Sequence, residues 1–140
     1  MPSMSISQIA EFLRPPRHAI LATNGRDGSP QLSPVWYLYD GGDLLISAGA
    51  TTAKVRNLRR DPKLSVCIDG GHPDARYVVI YGRATLVEPD EPLQEETRWR
   101  IIRHYYETEA EARQYYESIR GSQSVLIVVT PDKILSQDFT

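Results

Sequence analysis

The chain has 140 residues, enough for one ordinary domain, so we expect a single domain over residues 1–140. With 41% hydrophobic and 24% charged residues and a formal net charge of −2, the composition is typical of globular proteins and excludes disordered or collagen-like chains. This balance indicates neither a nucleic-acid nor a membrane partner. Because the N-terminus lacks the apolar core of a secretory signal, we expect a cytoplasmic protein.

A short helix and a meander of strands are predicted for the first part of the chain. Ser5 is a suitable N-cap for a helix with apolar residues at helical spacing, and Pro15 and Pro16 end it. Apolar, β-prone segments predict strands over 18–23, 31–39 and 44–48. Turn-forming residues at 26–28 and 40–43 connect them, so we expect an antiparallel meander.

The second part alternates between helical and strand patterns. We predict a helix over 51–61, strands over 64–68 and 77–87, a helical segment from 89 to about 119, and one or two last strands from 124. About six antiparallel strands with a helical insertion before the last ones favour a mainly β fold, a closed or half-closed barrel, since closure removes exposed edges. Side chains fill so small a barrel, so a ligand would lie outside it or at a subunit seam.

The cysteine and the histidines predict no metal site. Cys67 lies in the apolar stretch 64–68, and we expect it to be a small buried hydrophobic residue. His18, His72 and His104 lack the paired spacing that zinc sites use.

The segment after the third predicted strand has the pattern of an anion site. Small residues end the strand, Thr51 and Thr52 stand at a helix start, and Lys54 follows in the first turn. Free backbone N–H groups and the helix dipole attract anions at such a position, and the hydroxyls and the lysine would complete a phosphate site. A threonine N-cap before a solvated basic helix face fits the same spacing equally well.

The aromatic strand around Trp36, Tyr37 and Tyr39 permits two interpretations. Its rings or backbone could contact a flat heterocycle, or the rings could belong to the core or to a dimer interface, which is the more frequent case. Pro34 removes a ladder donor and indicates an edge or a bulge, where a ligand can approach the backbone.

Several short motifs together resemble those of the pyridoxamine 5'-phosphate oxidase-like split-barrel superfamily. In chain order they are Asp27-Gly28, Pro30-Gln31-Leu32-Ser33, Lys54, Asn57-Leu58-Arg59-Arg60-Asp61-Pro62 and Gly82-Arg83-Ala84. The motif at 57–62 is most similar to that of the actinobacterial F420-dependent oxidoreductase branch. The resemblance covers nearly the whole chain, is strongest over 27–68 and is weakest in the helical insertion.

The resemblance implies a homodimer with two cofactors at its interface, with each phosphate held after the third strand and each ring along the second. Lys54 would pair with the phosphate, Thr51 and Thr52 would donate to it, Asn57 would brace the loop, and Tyr77 would reach across from the partner subunit. The residues that it assigns to the cofactor are Gln31, Ser33, Pro34, Val35, Trp36, Ser47, Ala48, Thr51, Thr52, Lys54, Asn57 and Tyr77.

By this resemblance the protein is an F420-dependent reductase that passes a hydride between F420 and a small conjugated substrate. Two alternatives remain: an oxidoreductase that holds FMN in the same groove, and a non-catalytic flavin or F420 carrier. The basic set Arg56, Arg59, Arg60 and Lys63 suits the anionic tail of F420, although a solvated helix face is the commoner role. No catalytic residue is assigned, because the cofactor itself carries hydride chemistry.

The chain departs from the family pattern in three places. Some relatives carry an arginine at the position of Thr52, and many place a tryptophan near the C-terminus, where this chain has Ser136, Gln137 and Asp138. The chain also lacks the arginine-rich C-terminal substrate segment of pyridoxamine phosphate oxidase. We therefore do not predict that activity.

Overall fold

A computed structural model describes residues 3–140, which form four helices and a seven-stranded antiparallel sheet. The helices are α1 (Ile6–Leu13), α2 (Ala53–Arg60), α3 (Pro92–Tyr105) and α4 (Glu109–Ile119). The strands are β1 (Ala19–Asn24), β2 (Pro30–Val35), β3 (Leu38–Asp40), β4 (Asp43–Gly49), β5 (Lys63–Asp69), β6 (Arg76–Val87) and β7 (Ser124–Asp138).

The order of the strands shows how the sheet curls. It runs β2-β1-β5-β6-β7-β4-β3, so β2 and β3, which follow each other in the chain, lie at opposite edges. β2 ends at Val35 opposite Ala19, and β3 begins at Leu38 opposite Leu45 of β4. The two residues between them join the edges, which requires the sheet to bend round. The predicted mainly β split barrel is confirmed, but the single strand predicted over 31–39 is wrong, because the chain breaks into two strands there.

Side chains from alternate positions fill the concave side of the sheet. On β5, Leu64, Val66 and Ile68 are buried, and the same period of two runs along the neighbouring strands. Phe12 of α1 and Val55 of α2 join this core. α1 begins as predicted, since the Ser5 hydroxyl accepts from the N–H of Gln8 in a capping box.

The helical insertion is two helices rather than one continuous segment. α3 ends at Tyr105, and Tyr106 takes an extended conformation. Thr108 then caps α4, because its hydroxyl accepts from the N–H of Glu111. The insertion is followed by one long strand, β7, which pairs with both β6 and β4. None of the helices within 3–140 is long and apolar enough to cross a membrane.

The prediction that Cys67 is buried is wrong. Its side chain is exposed on the convex face of the sheet. Because side chains alternate along a strand, the burial of Val66 and Ile68 directs Cys67 outward. Partial desolvation by its neighbours still raises the pKa of its thiol.

Candidate functional site

A cleft opens where the end of β2, the end of β4 and the start of α2 meet the two helices of the insertion. Its volume is about 280 Å³. A contiguous space of about 240 Å³ shares the end of β4 and continues towards the start of β7. The residues that line the main cleft are Pro34, Val35, Trp36, Ser47, Ala48, Gly49, Lys54, Arg98, Ile101, Ile102, Tyr115 and Ile119.

The cleft brings together half of the residues that the sequence predicted for the cofactor. These are Pro34, Val35, Trp36, Ser47, Ala48 and Lys54. They come from the end of β2, the residue that follows it, the end of β4 and the start of α2. β2 and β4 are far apart in the strand order, and the curl of the sheet makes them neighbours. The others, Gln31, Ser33, Thr51, Thr52, Asn57 and Tyr77, do not line the cleft.

Lys54 is the cleft residue with the clearest electrostatic role. It lies in the first turn of α2 and is half-buried. Among the ion pairs within residues 3–140, none includes Lys54. A half-buried ammonium group without a carboxylate partner can form a charge-assisted hydrogen bond with an anion.

Neither Thr51 nor Thr52 lines the cleft. Thr52 is the N-cap of α2 by position, but its hydroxyl donates to the carbonyl oxygen of Gly49 (2.8 Å) and does not cap the helix. Thr51 is exposed, and its carbonyl accepts from Arg56. The first amides of α2 therefore lack a side-chain cap, which leaves donors at the positive end of the helix dipole.

Asn57 and Gln31 belong to a hydrogen-bond network that lies outside the cleft lining. The Asn57 side-chain amide donates to the Thr23 hydroxyl (3.1 Å), which donates to the Gln31 side-chain oxygen (3.2 Å). This chain of bonds ties α2 to β1 and β2. Ser33 lies on the same face of β2, and its hydroxyl oxygen is buried without a hydrogen-bond partner among the described residues.

Tyr77 lies away from the cleft, on the convex face of the sheet. Its ring is 6.3 Å from that of Phe139 near the C-terminus. Within one chain it makes no contribution to the cleft lining.

Trp36 closes one end of the cleft and is held by rings of the insertion. Its indole stacks on Tyr105, with centroids 4.7 Å apart and planes 6° apart, and Tyr115 lies 5.8 Å from it. The Tyr105 hydroxyl accepts from the backbone N–H of Tyr37 (3.1 Å) and donates to the carbonyl of Arg17. It thus replaces a ladder bond lost where the strand breaks. Burial raises the pKa of Tyr105 to about 12, and burial also raises that of Tyr37.

Arg98 is a cleft residue that the sequence analysis missed. Its side chain is only 5% exposed, and its guanidinium donates to the carbonyls of Ile119 (2.7 Å) and Ser122 (3.1 Å) at the end of α4. Glu95 lies 3.6 Å from the guanidinium and is itself 43% exposed. Arg98 therefore fixes the end of α4 against the cleft. Its position four residues before Ile102, on an apolar row of α3, was the available signal.

The remaining wall of the cleft is apolar and comes from the insertion. Ile101 and Ile102 of α3 are buried, while Tyr115 and Ile119 of α4 complete the wall. The spacing of α3 indicated which residues face inward, but not that the sheet beneath them would carry a cleft. The cleft thus combines two cationic side chains, Lys54 and Arg98, with an apolar and aromatic wall from the insertion.

Comparisons with known proteins agree with this fold. The sequence profile of the family described as pyridoxamine 5'-phosphate oxidase matches residues 6–138. Among solved structures, a conserved hypothetical protein from Mycobacterium tuberculosis is 29% identical, with a TM-score of 0.77 over 96% of this chain and 85% of that one. A protein described as F420 reductase is 24% identical (TM-score 0.69, 89% and 93% covered). An FAD-binding protein from Mesorhizobium loti is 18% identical (TM-score 0.72, 99% and 98% covered).

Proposed function

Because the chain belongs to the pyridoxamine 5'-phosphate oxidase family, we propose that it is an F420-dependent reductase that passes a hydride between F420 and a small conjugated substrate. The observation that carries this proposal is the unpaired, half-buried Lys54 in one cleft with Trp36. The likeness to a protein described as F420 reductase supports it at the level of the fold. FMN in the same cleft is the alternative cofactor.

The donor set of the cleft suits a phosphate-bearing cofactor. Lys54 supplies a cation, and the uncapped start of α2 supplies backbone N–H donors to the same space. The end of β4 is built of Ser47, Ala48 and Gly49, which are small enough for a ligand to approach the backbone. The residues therefore fit the phosphate end of FMN or F420.

The protein's own part in the reaction is binding and orientation. Lys54 and the α2 amides would anchor the phosphate, while Trp36 and the apolar wall with Tyr115 would hold the ring and exclude water. When bound, a flavin or deazaflavin supplies the hydride chemistry itself. No histidine or carboxylate is among the residues that line the cleft. This lining suits either hydride transfer without a protein acid or base, or a non-catalytic carrier.

The experiment that tests the proposal is the spectrum of the purified protein, followed by titration with F420 and FMN. We expect a protein that binds F420 more tightly than FMN and oxidises reduced F420 in the presence of a conjugated acceptor. A yellow preparation with an FMN spectrum would favour the FMN alternative. Binding without turnover across a panel of acceptors would favour the carrier, and binding of neither cofactor would refute the proposal.

We also propose a homodimer, on the evidence of an apolar row across the convex face of the sheet. The outer row consists of Ile20, Cys67, Val79 and Leu135, which lie opposite one another on β1, β5, β6 and β7. Ile20 and Leu135 are 40% and 42% exposed. An exposed apolar row across four strands suits a twofold interface with a second copy.

The outer row also leads to the cleft, since Ile20 lies opposite Pro34, which lines it. A second copy on this row would bring its own residues to the edge of the cleft, and Tyr77 lies on the face that would meet the partner. The dimer is thus proposed to complete the cofactor site.

We expect sedimentation at micromolar concentration to give twice the mass of one chain. Leu135→Glu should produce monomers that bind cofactor more weakly, because a charge in an apolar interface is costly. Leu93→Glu is the matched control, since Leu93 is 53% exposed on α3, outside the row. A monomeric parent protein would refute the dimer.

A further inference from the structure

A second cavity, lined almost entirely by arginine, lies outside the cleft. It has a volume of about 520 Å³ and shares no lining residue with the cleft. Arg26 reaches it from the turn between β1 and β2, and α2 contributes the rest. Its lining residues are Arg26, Arg56, Asn57, Arg59 and Arg60. We call it the arginine pocket.

Hydrogen bonds fix two of these arginines without neutralising them. Arg60 donates to the carbonyl of Asn24 (2.7 Å) and to the side-chain oxygen of Asn57 (3.1 Å). Arg56 donates to the carbonyl of Thr51. These acceptors carry no charge, so the guanidinium groups are held in place while their positive charge remains available to a ligand.

Carboxylates neutralise only part of the positive charge of the pocket. Glu88 forms a two-point ion pair with Arg59, with both N–O distances 2.8 Å. Asp61, next to Arg60 in the chain, accepts from the side-chain amide of Asn24 (3.0 Å). The backbone N–H of Lys63, this amide and the charges of Lys63 and Arg60 lower the pKa of the Asp61 carboxyl, so Asp61 offsets part of the charge of Arg60. Arg26, Arg56 and Arg60 form no ion pair within residues 3–140.

The helix dipole explains only some of this charge. Basic residues in a last helical turn stabilise the negative end of the dipole, and this accounts for Arg59 and Arg60. It does not account for Arg56, which lies in the middle of α2, or for Arg26, which belongs to another element. Like charges around one cavity repel each other, and a bound anion would relieve that repulsion.

We propose that the arginine pocket binds an anion that carries several adjoining phosphate groups. Arg26, Arg56 and Arg60 form no ion pair within residues 3–140, and an oligophosphate supplies several adjoining negative charges to such a cavity. Guanidinium groups match phosphate oxygens with two parallel hydrogen bonds. The pocket and the cleft share no lining residue, so the inference does not depend on Lys54. Its α2 arginines are those that the sequence analysis connected with the anionic tail of F420, and the proposal names a different ligand for them.

The test is calorimetric titration of the full chain with tripolyphosphate and with orthophosphate at low ionic strength. We expect tripolyphosphate to bind at least about tenfold more tightly than orthophosphate, because it places several charges in the pocket. The variant Arg26→Gln/Arg56→Gln should lose about tenfold or more of the tripolyphosphate affinity. Both side chains are exposed, so the fold should tolerate the change.

The matched control is Arg113→Gln/Arg120→Gln, which removes two positive charges from exposed ion pairs on and beside α4. Its affinity for tripolyphosphate should stay within about twofold of the parent, and so should that of Lys54→Ala. An equal loss in the control would show attraction to overall charge and overturn the proposal. A loss in Lys54→Ala with none in the pocket variant would show that the anion occupies the cleft, which also overturns it.

Discussion

Replacing Lys54 with alanine should weaken the binding of FMN or F420 about tenfold to a hundredfold and leave the fold intact. A hydrogen bond to a charged group contributes roughly 1.5–3 kcal/mol, which corresponds to that range of affinity. The effect should be confined to the phosphate, because Lys54 belongs to α2, whereas the apolar and aromatic wall comes from the insertion. Fluorescence titration with FMN and with riboflavin, which lacks the phosphate, measures it.

Arg59→Ala and Arg60→Ala are the comparison variants, since both residues lie outside the cleft. The helix dipole weakens beyond the first turn, so position should matter more than the number of charges. Both variants should keep the preference for FMN over riboflavin. The placement of the phosphate is wrong if Lys54→Ala keeps that preference in full, or if Arg60→Ala alone removes it.

Arg98→Met should lower the free energy of unfolding by about 2–3 kcal/mol. The change removes the charged donor of the part-buried carbonyls of Ile119 and Ser122, and a hydrogen bond to a charged group contributes roughly 1.5–3 kcal/mol. Methionine keeps much of the buried aliphatic volume, so the loss reports the guanidinium rather than a cavity. Urea unfolding followed by circular dichroism gives the value.

Arg113→Met is the matched control for Arg98. Arg113 is 62% exposed and pairs with Glu109 at the start of α4, and such surface pairs contribute little. We expect a change within about 0.5 kcal/mol for this variant. Equal losses in the two variants would contradict the view that Arg98 holds the end of α4 against the cleft.

Most strands could be predicted from the sequence because alternate burial follows from strand geometry. The break between β2 and β3 could not be predicted in this way. Trp36 and Tyr37 are β-prone, so their own side chains give no signal of the break. At the break, the N–H of Tyr37 donates to the hydroxyl of Tyr105, which lies almost seventy residues away in the chain. Pro34 was the local hint, and it marked the right place.

The prediction for Cys67 followed the general frequency of buried cysteines and not the alternation of side chains along its strand. Cysteine is often buried, and the stretch 64–68 is apolar, but Leu64, Val66 and Ile68 already occupy every inward position. Alternation along the strand would have predicted the exposed side chain, whereas the frequency of buried cysteines led to the wrong prediction. The pattern within the strand was the better guide.

The candidate site was half predictable for a similar reason. Lys54 and Trp36 lie in local motifs, a helix start and an aromatic strand, that carry chemical information by themselves. Arg98 and Ile119 reach the cleft only because two helices pack over the sheet. That packing is a tertiary event without a short-range signal, so sequence analysis described the insertion as helical and no more.

The two residues that join the sheet edges, Trp36 and Tyr37, connect ligand binding in the cleft with the stability of the fold. It connects the two edges of the sheet, and Trp36 also lines the cleft, so any molecule in the cleft rests on the seam that closes the barrel. A ligand that binds only the folded chain stabilises it by RT ln(1 + [L]/Kd). The free energy of unfolding should therefore rise with the concentration of a ligand that fills the cleft.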